Sequence, residues 1–170
     1  MANLSLPRDP DYHKAVAFNE YMEFLNLTEA LNVPPTGEGS EEGHNILLAA
    51  PEGYISSLEG LHIRIPAPPN ASQGVHGVVL YYGKGEGHVD VAHVVMPYDT
   101  DIEIKNGEFM NAEKTTVSGP KGPAFTYQLK SLPYSTDVPL GFHYYNITDV
   151  DQTETWHFLA VVKHRQVITF

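Results

Sequence analysis

The chain of 170 residues contains no cysteine. Disulfides, thiolate nucleophiles and cysteine-ligated metals are excluded at once, and a reducing compartment is favoured. Basic residues are scarce: ten Lys and Arg stand against 21 Asp and Glu, for a formal net charge of −11 and a pI near 5.1. Such a field repels phosphate backbones and anionic lipid surfaces, so neither nucleic acid nor a membrane is expected as a partner. No apolar run reaches the ~18 residues of a membrane span. The N-terminus has no basic stretch followed by an apolar one, which gives no signal peptide and an expected cytoplasmic location, or a secreted one if a leader has been removed. On the same ground the sequons at Asn3, Asn26, Asn70 and Asn146 are taken as chance matches. There is no internal repeat and no Gly-x-Ser-x-Gly elbow. Gly83-Lys84-Gly85-Glu86-Gly87 is glycine-rich but matches no Walker or dinucleotide pattern, and it joins two strand-like runs.

What is present is β-forming. Residues 75–82 and 88–96 are rich in Val, Leu and Tyr on either side of that glycine segment, and they predict a long hairpin at the centre of the domain. Residues 61–65 alternate, with Leu61, Ile63 and Ile65 on one face and His62 and Arg64 on the other. Asn106-Gly107 marks a second hairpin between 101–105 and 108–110. Further strands are expected at 45–50, 124–132, 141–147, 155–162 and 166–170. At the N-terminus, Asp9-Pro10 resembles a helix start, and Ala15, Phe18, Met22 and Leu25 recur at helical spacing, so a helix is expected over 10–31. The fold class expected is mainly β: an antiparallel β-sandwich or jelly roll with one N-terminal α-helix. As one domain overall, it divides into a helical segment (1–33), a flexible acidic linker (34–44) and an antiparallel β domain (45–170).

The chemistry-bearing residues are the nine histidines, the acidic turns and the tyrosines. Two-residue periodicity puts His88 and Asp90 on one face and His93 on the other; His143 shares a face with Tyr145, and His62 with Arg64. If those faces converge, His62, Arg64, Tyr82, His88, Asp90, His143 and Tyr145 form a ligand site. His62, His88 and His143 would be the candidate ligands of a divalent metal, since neutral imidazole suits Zn, Cu, Fe or Ni. The cupin spacing of two histidines at i and i+2 followed by Glu is not met. Asp149, Asp151 and Glu154 are candidate calcium oxygens, although the EF-hand glycine is missing.

Three functions follow. The leading one is a non-catalytic β-sandwich that binds a carbohydrate or a small apolar ligand, or assembles with itself as a homo-oligomer. The second is a cupin-like jelly-roll enzyme with a histidine-held metal. The third is a structural protein of a particle or inclusion. Strand 155–162, long and close to the C-terminus, is the expected site of pairing between subunits.

Overall fold

A computed structural model describes residues 20–36, 43–84, 87–105, 108–109 and 132–167. They form ten strands: β1 (Glu20–Ala30), β2 (His44–Leu48), β3 (Tyr54–Ile65), β4 (Gly74–Tyr82), β5 (Val89–Pro97), β6 (Ile102–Lys105), β7 (Glu108–Phe109), β8 (Leu132–Tyr134), β9 (Leu140–Thr148) and β10 (Thr155–Gln166). Two antiparallel sheets result. One has the order β1-β10-β3-β6-β7, with β8 also paired to β3; the other is β2-β9-β4-β5. The predicted hairpin of β4 and β5 forms, but β4 also pairs with β9, which makes β5 an edge instead of a central strand.

Alternation builds the core. Trp156, Phe158, Ala160 and Val162 on β10, Leu61, Ile63 and Ile65 on β3, and Ile102 and Ile104 on β6 all turn inward. From the other sheet come Leu140, Phe142 and Tyr144 on β9, Val78 and Leu80 on β4, and Ala92, Val94 and Met96 on β5. The rings of Phe142 and Phe158 meet edge-to-face at 5.0 Å, and those of Tyr144 and Trp156 at 6.2 Å, which locks the two layers together. Among the described residues the buried side-chain polar atoms are hydrogen-bonded, Trp156 Nε1 excepted. Asn146, fully buried, donates Nδ2 to the carbonyls of Val33 and Val150, so this sequon is part of the interior.

No α-helix occurs among the described residues. The helix expected over 10–31 is, from Glu20 onward, a strand in register with β10 along its whole length; residues 10–19 lie outside the described residues. The reason is tertiary: β10 would otherwise expose a row of backbone donors and acceptors, and β1 satisfies them while tucking Leu25 and Leu27 against the core. Strand 155–162 is accordingly no free edge, because β10 lies between β1 and β3. Of the acidic linker, Thr36 bonds the Asn146 carbonyl through both its backbone and its hydroxyl, and His44 belongs to β2; residues 37–42 lie outside the described residues, as do all of the strand expected over 124–132 but Leu132, which opens β8, and residues 168–170 of the one expected over 166–170, whose Gln166 ends β10.

Candidate binding face

The outer surface of the β2-β9-β4-β5 sheet carries a group of rings: Tyr81, His88, His93, His143 and Tyr145. On β9, His143 and Tyr145 alternate with buried Phe142 and Tyr144 and so face outward. Register then places Val79 and His93 beside His143, Gly77 and Val95 beside Tyr145, and Tyr81 and Asp90 beside Gly141. Glycine shapes this face. A Cβ added at Gly77 would collide with the end of the Tyr145 ring, one at Gly141 with the Tyr81 ring, and one at Gly43 with the His143 ring. Each ring therefore occupies the space over a neighbouring backbone that has no side chain of its own.

Polar contacts fix the rings. His93 Nε2 and the Tyr145 hydroxyl are 2.5 Å apart. His143 Nδ1 donates to Asn45 Oδ1 at 2.9 Å, an assignment that leaves Nε2 as an acceptor. His88 sits 3.5 Å from Asp90 and edge-on to Tyr81, ring centres 5.2 Å apart. Burial pulls the His143 pKa below its usual value, the nearby His88 acts in the same direction, and Asp90 opposes them. Burial alone raises the Tyr81 phenol. The face thus presents uncharged rings, hydroxyls and an imidazole acceptor beside one carboxylate.

The fold divides the expected site. His88, Asp90, His143 and Tyr145 come together. His62 and Arg64 do not join them: they alternate with Leu61, Ile63 and Ile65, so they lie on the outer surface of the opposite sheet, where His62 meets Glu103 at 3.3 Å and Arg64 meets Asp101 at 3.6 Å. Tyr82 turns to the core side and packs there; Tyr81 takes the outward position. His93, which strict alternation sends to the opposite face from Asp90, is brought back by a shift of register between Leu80 and Tyr81: Leu80 pairs with Ala92 and Tyr81 with Asp90, so Val91 is the extra residue.

No metal centre takes shape from the expected ligands. His62 and His143 point away from each other across the sandwich, and among the described residues no group of three or more His, Asp or Glu is placed to hold an ion. Asp149 is engaged by Ser72 through its backbone N–H and its hydroxyl, and these bonds hold its carboxyl below the usual range. It does not gather with Asp151 and Glu154.

One constellation escaped the sequence reading altogether. Ser56 Oγ lies 2.7 Å from His164 Nδ1, and His164 Nε2 lies 2.8 Å from Glu23. The tautomer that fits has Nε2–H donating to the carboxylate and Nδ1 accepting from the serine. Tyr134 bonds the same serine, and burial pushes its phenol up to about 12. The order Ser–His–Glu is that of a hydrolase triad, but Ser56 is only 1% exposed and His164 only 2%. A nucleophile must reach its substrate, so this chain of bonds acts as a strut joining β3, β10, β1 and β8. Its signal was parity: His164 continues the inward series Phe158, Ala160, Val162.

No family model matches the sequence, and no curated protein matches it. Among solved structures, that of infectious bursal disease virus, Gt strain, is similar at 12% identity over 88% of this chain and 38% of that one, with a TM-score of 0.32. The family 11 carbohydrate-binding module from Clostridium thermocellum, in complex with a β-1,3-1,4-mixed-linked tetrasaccharide, is similar at 14% identity over 89% of this chain and 91% of that one, with a TM-score of 0.23. The chain spans little more than a third of the virus structure's chain.

Proposed function

We propose that this protein is a non-catalytic jelly roll that binds a neutral saccharide chain across the outer face of the β2-β9-β4-β5 sheet. The strand orders β1-β10-β3-β6 and β2-β9-β4-β5 support the jelly-roll reading, with β7 and β8 as additions to the connection between β6 and β9. The observation that carries the binding reading is the pair of tyrosine rings laid over glycines. A sugar's apolar C–H face packs on such a ring, while its hydroxyls meet Asp90, Asn45 and the His143 acceptor. Gly141, beneath the Tyr81 ring, and Tyr145 are separated along β9 by about 13 Å at the rise of a strand. Two platforms so spaced suit an extended oligosaccharide better than a single sugar. The net charge of −11 and the Asp90 carboxylate favour a neutral glycan over an anionic one.

Calorimetric titration with neutral hexose oligomers (cellohexaose, maltohexaose and mannohexaose) tests this. Binding of at least one is expected, and Tyr81→Ala and Tyr145→Ala should each weaken it roughly tenfold, the equivalent of about 1.4 kcal/mol, with an unchanged circular dichroism spectrum. Absence of binding to all three, or variants that bind as the parent does, contradicts the proposal. A second reading, a structural protein that assembles with itself, is favoured by a separate observation on β1.

A further inference from the structure

We infer that β1 is a homodimer edge: it pairs antiparallel with β1 of a second copy, about a two-fold axis at Phe24, to join two sheets into one. Among the described residues β1 is an outer strand, with β10 on one side. Its eleven residues run in unbroken register with β10, with no bulge. Proteins that must keep such an edge single protect it with proline, lysine, a bulge or a short strand. The sequence Glu20-Tyr21-Met22-Glu23-Phe24-Leu25-Asn26-Leu27-Thr28-Glu29-Ala30 uses none of these.

Its three glutamates are the one feature that would repel a second copy, and each is already engaged within its own chain. Glu20 meets Lys163 at 2.9 Å and Arg165 at 2.5 Å. Glu23 meets His164 at 2.8 Å, and Glu29 meets His44 at 2.9 Å. Registers differ in what they oppose. An axis at Glu23 sets that carboxylate against its copy, and one at Asn26 sets Glu23 against Glu29. An axis at Phe24 opposes Glu23 with Leu25, Met22 with Asn26, Tyr21 with Leu27 and Glu20 with Thr28, so no carboxylate faces another. An axis at Leu25 also avoids that clash, but it faces Phe24 with Asn26. The Phe24 axis instead sets two aromatic rings side by side, a favourable cross-strand pair. Phe24 is 77% exposed in the single chain and Met22 beside it 47%, while Leu159, paired with Asn26 on the adjacent strand β10, is 43% exposed. Large apolar side chains gathered at an unprotected strand mark a contact surface.

The tests use the whole protein. Sedimentation velocity at tens of micromolar should show a dimer for the parent and a monomer for Phe24→Lys, which opposes like charges at the axis while changing a solvent-exposed side chain; the circular dichroism spectra should coincide. The chain has no cysteine, so Phe24→Cys gives a single reporter: residues on the axis stand close enough for a disulfide, and mild oxidation should yield a covalent dimer. A monomeric parent, a Phe24→Lys variant that still dimerises, or a Phe24→Cys variant that fails to cross-link overturns the inference. It stands apart from saccharide binding, since the edge and the ring-paved face belong to different sheets.

Discussion

His76 shows how one side chain ties the chemistry of the interior to pH. It is fully buried, with Nε2 at 2.7 Å from the Thr100 carbonyl and Nδ1 at 3.2 Å from the Tyr144 hydroxyl. A carbonyl only accepts, so Nε2 carries the proton and Nδ1 accepts from the tyrosine. Protonation would turn Nδ1 from acceptor to donor against that hydroxyl and place a charge in a dry core. Burial accordingly lowers the pKa from 6.5 to about 4. The unfolded chain takes up its proton near pH 6.5, while the folded one resists until about pH 4. Stability contributed by the neutral ring is present in full above pH 6.5 and is lost as pH falls through that window, by about 3 kcal/mol in total. Denaturant titrations at pH 7.5, 5.5 and 4.5 should show that decline, and His76→Gln, while less stable at pH 7.5, should flatten it. A parent whose stability between pH 7.5 and 4.5 matched the variant's slope would contradict the assignment. At the same scale, Gly77 and Gly141 matter for lacking a side chain: Tyr145 and Tyr81 occupy the space that a Cβ would fill.

At the scale of elements, β1 is held by more than its ladder. Tyr21 stacks on His164 at 4.6 Å, and the Ser56–His164–Glu23 chain reaches it through β10. His164→Ala should therefore cost roughly 2–4 kcal/mol, since it leaves a cavity and strips Ser56 of its buried partner. Loss of protection in hydrogen exchange should concentrate in β1; a uniform loss over both sheets would count against the strut. The β strands were legible where alternation was clean, as in Leu61, Ile63 and Ile65, and where a turn was marked, as in the β4–β5 hairpin. β1 was not legible, because Met22 and Leu25 satisfy a helical spacing as readily as Leu25 and Leu27 satisfy a strand one. What decides between them is β10, more than a hundred residues away. For the candidate face, parity found His88 with Asp90 and His143 with Tyr145. It missed His93 because a one-residue bulge reverses parity, and it joined His62 wrongly because alternation on one strand does not say which sheet that strand enters.

The molecule as a whole has two outer surfaces of different character. One sheet presents rings over glycine with a sparse set of polar groups; the other presents Arg64 and Lys163 in ion pairs and His62 against Glu103, with an apolar margin at β1. The two proposals use different surfaces, saccharide binding one face and pairing with a second copy the edge of the other sheet, so that a dimer would display two ring-paved faces at once. The central claim is that the β2-β9-β4-β5 surface is where the ligand sits. Backbone amide NMR with stepwise addition of whichever neutral hexose oligomer gives heat on titration is the most direct measurement. The predicted result is that shifts centre on Tyr81, Asp90, His93, His143 and Tyr145, with His62, Arg64 and β1 unmoved; shifts centred on His62 and Arg64, or spread evenly over both sheets, would contradict it.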